Sequence, residues 1–146
     1  MKTRGITKTD FDRIVAVFDS WMGAPASDRP HPVYFYELGD HALVVEDDEQ
    51  QMRAFLLGFI APTSPPTGYI HLVGIHPDYR RRGIGKELYS QFARRCQAAG
   101  ASRLKAIATV RHEQAARFHG SLGFEVREEP DYAGQGCARL LFTKAL

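Results

Sequence analysis

The chain has 146 residues, 44% hydrophobic and 25% charged, enough for one domain with a proper core, so a single domain over 1–146 is expected. A net charge of +2 is too small for a nucleic-acid-binding surface, and any basic function must be local. Cys96 and Cys137 are too few for a disulfide framework or a zinc site and fit a reducing compartment. The opening MKTRGITKTD has no apolar stretch after its charges, and the longest apolar run, Ala54 to Ala61, is too short to span a bilayer. A cytoplasmic protein without a membrane partner is the expectation.

In chain order, Thr9 or Asp10 is placed to cap a first helix, whose apolar residues Phe11, Ile14, Val15, Phe18 and Trp21 recur at helical spacing. Met22 to Pro32, with its three prolines, reads as a loop, and His31 to Leu38 as a short second helix ended by Gly39-Asp40. Ala42 to Glu46 and Met52 to Ile60 read as strands joined by an acidic turn. After the proline-rich APTSPPTG, the run Tyr69 to Ile75 is apolar on both faces and suits an interior strand. Ile84, Leu88, Phe92 and Cys96 mark one face of a helix that Gly100 stops. Leu104 to Val110 is a further strand, and His112 to Leu122 a helix stopped by Gly123. Phe124 to Arg127, a loop over Asp131 to Gly136 and the strand Ala138 to Thr143 close the chain. Strands interleaved with helices in this order predict a mixed α/β sheet.

The segment HPDYRRRGIGKEL, residues 76 to 88, carries the chemistry. A strand, a short loop, Gly-x-Gly and a helix place backbone N–H groups without helical acceptors at a positive dipole end, where an anion binds. Gly83 and Gly85 keep side chains off that surface, while Arg80, Arg81, Arg82 and Lys86 supply charge around it. A Walker loop is excluded, because Glu87 follows Gly85-Lys86 and leaves no hydroxyl for magnesium. A dinucleotide fingerprint fits poorly, because Leu88 stands where its third glycine belongs. The plain alternative is a solvated basic turn.

Arg80-x-x-Gly83-x-Gly85, preceded by Val73-Gly74-Ile75-His76-Pro77 and followed by an amphipathic helix, resembles the acetyl-CoA-binding motif of the GNAT superfamily of N-acetyltransferases. The stretch Ala115 to Phe124, AARFHGSLGF, resembles that family's A-x-x-F-Y-x-x-x-G-F helix and turn. The resemblance covers residues 69 to 124 closely. It implies a mostly antiparallel sheet splayed at the strand Tyr69 to Ile75, with acetyl-CoA wedged into the gap. Backbone groups of Val73, Gly74 and Ile75 would then meet the pantetheine arm and the thioester carbonyl, stabilising an oxyanion. Arg81, Arg82, Gly83, Ile84, Gly85 and Lys86 would cradle the pyrophosphate, with Arg80 opening the motif.

Two positions depart from the family pattern. His112 stands where most members carry a cofactor-contacting Asn, and His119 where many carry the Tyr that protonates the leaving thiolate. His119 is therefore either the acid or a packing residue, and His112 either a cofactor contact or the start of the helix. For the base, His71 and Tyr69 share one strand face and stand where arylalkylamine acetyltransferases carry a pair of histidines. His71 is the first choice, directly or through water, with Tyr69 assisting; Glu37 and Glu46 are substitutes, and His76 reads as structural. Trp21, Met22, Tyr34, Phe35 and Tyr36, together with the loop Asp131 to Gly136, are the candidates for substrate recognition.

The implied activity is acetyl-CoA-dependent acetylation of a primary amine, on a small molecule or a peptide, by direct attack. The alternative is a non-catalytic acyl-CoA-binding domain on the same fold. A nucleic-acid module lacks a reader motif. Many family members dimerise, so a homodimer stays open, with no stretch marking an interface.

Overall fold

The computed structural model describes residues 1–22 and 30–146. Its strands are β1 (Lys2–Gly5), β2 (Leu43–Glu46), β3 (Met52–Ala61), β4 (Thr67–Ile75), β5 (Arg103–Thr109), β6 (Glu125–Glu129) and β7 (Arg139–Ala145). They form a seven-stranded sheet in the order β1-β2-β3-β4-β5-β7-β6. Only the β4–β5 junction is parallel. The helices are α1 (Lys8–Met22), α2 (Val33–Tyr36), α3 (Ile84–Ala98) and α4 (Glu113–Ser121), with a 3₁₀ turn over Pro77–Tyr79. No helix among the described residues is long and apolar enough to cross a membrane.

Alternation along the strands divides the core in two. Leu43, Val45, Ala54 and Leu56 pack under Leu88, Tyr89 and Phe92 of α3. Their neighbours Val44, Phe55 and Leu57 pack under Ile14, Phe18 and Trp21 of α1 and Phe35 of α2. The helix α3 lies hard against β3 and β4. A Cβ on Gly58 would come within 2.6 Å of the Phe92 ring, and one on Gly68 within 2.6 Å of Cys96 Sγ. Truncating the fully buried Phe92 to Ala should cost about 3–5 kcal/mol.

Three expectations are corrected. The first helix begins at Lys8, so neither Thr9 nor Asp10 is its cap. Thr7 donates its N–H (2.7 Å) and hydroxyl (3.0 Å) to the Asp10 carboxylate, which works from inside the first turn. Met22 is the last residue of α1 rather than the start of the loop, and residues 23–29 lie outside the described residues. The strand β1 was not expected, since KTRG has no apolar alternation. Backbone pairing with β2 holds it, together with Arg4, which bonds both Asp10 (2.8 Å) and Glu46 (2.6 Å).

Candidate active site

The seam between β4 and β5 is where the sheet opens. The two strands pair only over Thr67–Ile70 and Arg103–Ala106, although β4 continues to Ile75 and β5 to Thr109. A bulge accompanies the parting. Leu57 pairs with Leu72 but Gly58 with Ile70, so His71 is an extra residue that bends β4. Beyond it, His76 N–H bonds to Arg53 O at 2.8 Å, which makes that pair the hydrogen-bonded kind. Alternation then turns Gly74 and Leu72 toward β3, and Val73 and Ile75 toward the gap.

Val73 and Ile75 thus present backbone to the opening, and Gly74 does not. Its part is steric: a Cβ there would lie 2.4 Å from the Phe55 ring across the pair. The Ile75 carbonyl is itself occupied, accepting from Arg80 Nε at 3.1 Å.

The end of α3 closes the same gap from above. Arg81 (φ 59°) and Gly83 (φ 80°) both take left-handed backbone, which curls successive N–H groups toward a common point. The first helical bond runs from Glu87 N–H to Gly83 O (3.0 Å), so the N–H groups of Ile84, Gly85 and Lys86 precede any helical acceptor. The cap position is Gly83, which has no side chain to accept from these N–H groups. Gly85 is seated against Ile75 and Phe118, its Cβ position 3.3 Å from each side chain. An uncapped helix end behind a left-handed loop, rimmed by exposed Arg81, Arg82 and Lys86, fits the phosphates of acetyl-CoA.

Arg80 also braces the backbone. Its guanidinium reaches back to Trp21 O at the end of α1 as well as to Ile75 O. Arg82 lies over the Tyr79 ring at 4.9 Å, with Arg53 at 4.8 Å from the same ring. His112 caps α4, its Nδ1 accepting from Ala115 N–H at 3.2 Å. That bond fixes the neutral ring as the Nε2–H tautomer, leaving a donor on the solvent side.

Of the two roles open to His119, the contacts support packing. The ring is 7% exposed and stacked on Phe142 at 4.1 Å. Nδ1 sits 2.7 Å from the Ala115 carbonyl and therefore carries the proton; Nε2 accepts from the Tyr89 hydroxyl at 2.8 Å. Both nitrogens are committed, and burial pulls the ring's pKa below its ordinary value. Tyr89 is itself buried, which pushes its phenol well above the usual range.

The other face of β4 carries the aromatic residues. His71 stacks on Tyr34 of α2 at 4.0 Å and 20°. Tyr34 also stacks on Phe59, which contacts Tyr69 at 5.3 Å. Trp21 is core, stacked on Phe55 and edge-on to His76, whose Nδ1 accepts from Asp78 N–H. Phe35 is buried; Met22 and Tyr36 are exposed, Tyr36 beside Phe11 and Lys8. Glu46 is held by Arg4 and Arg13, and the Arg4 bond keeps its carboxyl below the usual range, which removes it as a base. Glu37 is exposed at the end of α2. Phe59 and Lys105 escaped the sequence reading. Lys105 could have been found as the cation inside the apolar strand LKAIAT, in register with Tyr69.

The family model described as the acetyltransferase (GNAT) family matches residues 11–124. Among curated protein sequences nothing matches. Naa20 of Chaetomium thermophilum, solved with a bisubstrate analogue, superposes with a TM-score of 0.80 at 18% identity, over 100% of this chain and 87% of that one. Ard1 of Thermoplasma volcanium gives 0.79 at 15% identity, over 99% and 97%. A phosphinothricin acetyltransferase of Sinorhizobium meliloti, in complex with AcCoA, gives 0.77 at 18%, over 99% and 88%. At such identities the likeness is one of fold, and it agrees with the family match and with the splayed seam. The chain belongs to the acetyltransferase (GNAT) family, the enzymes that use acetyl-CoA to acetylate amines.

Proposed function

We propose that the chain acetylates a primary amine that approaches from the α1/α2 face of β4, with His71 taking the ammonium proton directly or through one water. The observation that carries this is the bulge. His71 is the inserted residue at the point where β4 and β5 part, and its ring stacks on Tyr34 from α2. The phosphate-binding helix end lies with the other core half, whose cluster includes Ile84, Val73 and Ile75. A group reaching through the gap from that side therefore meets the imidazole.

Acetyl-CoA supplies the activated thioester carbonyl and a thiolate leaving group. The chain supplies the rest. Arg81, Arg82 and Lys86, with the N–H groups of Ile84 and Gly85, hold the phosphates. Backbone of Val73 and Ile75 lines the gap and orients the arm within it. Imidazole is the side chain best suited to taking a proton near neutrality. Tyr69, on the same face, assists by holding the amine or a water. With His119 committed to the core, departure of the thiolate proceeds without a side-chain acid from that position.

The test combines thermal unfolding with acetyl-CoA and a free-thiol assay over small amines and peptide N-termini. Stabilisation by acetyl-CoA and amine-dependent thiol release are expected. Stabilisation without release on any amine would favour the non-catalytic acyl-CoA-binding alternative. No stabilisation would remove the phosphate-loop assignment.

A further inference from the structure

The helices α1 and α2 cover only part of their face of the sheet. Their buried contacts come from β2 and β3 and end at Leu72 of β4. Beyond β4, the same face carries Lys105 and Ile107 of β5 and Thr143 of β7, all half-buried, and the buried Leu141 of β7, with Tyr132 of the β6–β7 loop over Lys105. This half-buried floor starts beside His71. Tyr69 is in direct register with Lys105 on the parallel neighbour, so their side chains leave the same face. His71 follows two residues on, at the bulge where β4 and β5 part.

Among the half-buried cations of the described residues, Lys105, Arg95 and Arg139 have no ion pair, and of these three Lys105 is the one in register with Tyr69. Arg4 is paired with Asp10 and Glu46, and Arg53 with Asp47. The Lys105 ammonium has no carboxylate partner among the described residues; its contact is the Tyr132 ring, 5.6 Å to the centroid. An ammonium without a counter-ion favours an anion brought by a ligand.

We infer that the acceptor amine carries a carboxylate within a few bonds of its nitrogen, and that Lys105, steadied by Tyr132, receives it. This rests on the acetyltransferase reading above. The carboxylate has two possible sources, the α-carboxylate of a free amino acid and the acidic side chain of a peptide's first residues. Both give one chemistry: an amine at His71 and an anion at Lys105.

Matched acceptors test it on the whole chain: an amino acid against its amide, and an amidated peptide beginning with Asp against one beginning with Asn. In at least one pair the carboxylate member should show roughly tenfold or greater kcat/KM, as expected for a hydrogen bond to a charged group. Which pair responds identifies the source. Lys105→Met should bring that ratio close to one while leaving stabilisation by acetyl-CoA unchanged, and Lys105→Arg should keep most of it. Equal use of both members by the unmodified chain, or a preference that survives Lys105→Met, would overturn the inference. Should no acceptor turn over, the enzyme reading fails separately, and the same pairs are read by thermal unfolding with CoA present. The carboxylate member must then stabilise the unmodified chain and not Lys105→Met; equal curves would overturn the inference on their own.

Discussion

On the α3 side of β4 the inner contacts offered to a ligand are backbone ones, the N–H groups of Ile84, Gly85 and Lys86 and the gap-facing groups of Val73 and Ile75, with exposed Arg81, Arg82 and Lys86 only at the rim. On the α1/α2 side they are side chains, the rings of Tyr34, Phe59, Tyr69 and His71 and the ammonium of Lys105. A backbone-built site constrains the sequence at few points, chiefly where a left-handed φ or a missing Cβ is needed, and those points recur as a motif. A side-chain site can change residue by residue with its ligand. One strand thus carries a largely backbone-built face and a side-chain-built one.

The largest expected effect lies on the side-chain half. His71→Ala should lower kcat/KM for the amine about 100-fold or more, within the range of general-base catalysis, and leave acetyl-CoA affinity unchanged. The loss should be greatest near neutrality, where the amine is still largely protonated and an imidazole can take its proton. It should shrink at low pH as the imidazole itself protonates. Steady-state rates across pH, set beside thermal shifts with acetyl-CoA, separate the halves. Loss of cofactor affinity would mean that the two faces are not independent.

Gly83→Val attacks the backbone half. Nothing lies within 4 Å of a Cβ at that position, so the obstacle is the φ of 80° rather than space. At about 100 times the dissociation constant, acetyl-CoA should stabilise the unmodified chain by about 2.7 kcal/mol, and the valine variant hardly at all. Gly83→Asn is the sharper comparison, since Asn tolerates left-handed backbone. It should keep most of the shift. Equal loss in both variants would point to the missing side chain, not the loop conformation.

The legibility of the sequence follows the same division. Helical periodicity marked α1 and α3, and the Gly-x-Gly spacing located the N-terminal end of α3. The strand β1 was invisible because its four residues are placed by Arg4 and by pairing with a strand about forty positions away. The bulge at His71 was equally hidden, because register belongs to a pair of strands and not to one. Arg80 looked like its neighbours in the string RRR; only the approach of α1 shows that it serves the Trp21 carbonyl. Lys105 gains meaning from Tyr132, which the chain brings over it from a loop between two later strands.

Arg80→Ala turns that difference within RRR into a measurement. Two backbone carbonyls, on Trp21 and Ile75, lose a charged donor from an exposed side chain. A cost of about 1–2 kcal/mol is expected, toward the lower part of the range for such bonds because solvent can replace the donor. It should appear in the unfolding of the free protein and leave the acetyl-CoA shift nearly intact. The reverse pattern would return Arg80 to the phosphate.

The smallest effect concerns His119, and its sign is fixed by burial. The folded ring's pKa is depressed, so just below pH 6.5 the unfolded chain binds a proton that the folded one refuses. Stability therefore falls as pH drops from about 6.5 toward the lower folded value, at no more than about 1.4 kcal/mol per pH unit for one proton. Replacing His119 alone would strand the Tyr89 hydroxyl. The double variant His119→Phe with Tyr89→Phe removes both partners and keeps the ring packing on Phe142 and Phe124. It should flatten the pH dependence of unfolding between about pH 6.5 and 5 while kcat stays near that of the unmodified chain. An unchanged slope would show that His119 already protonates freely in the fold. A collapse of kcat with the fold intact would instead return this ring to the chemistry of the gap, and the division between the two sides of β4 would have to be redrawn around α4.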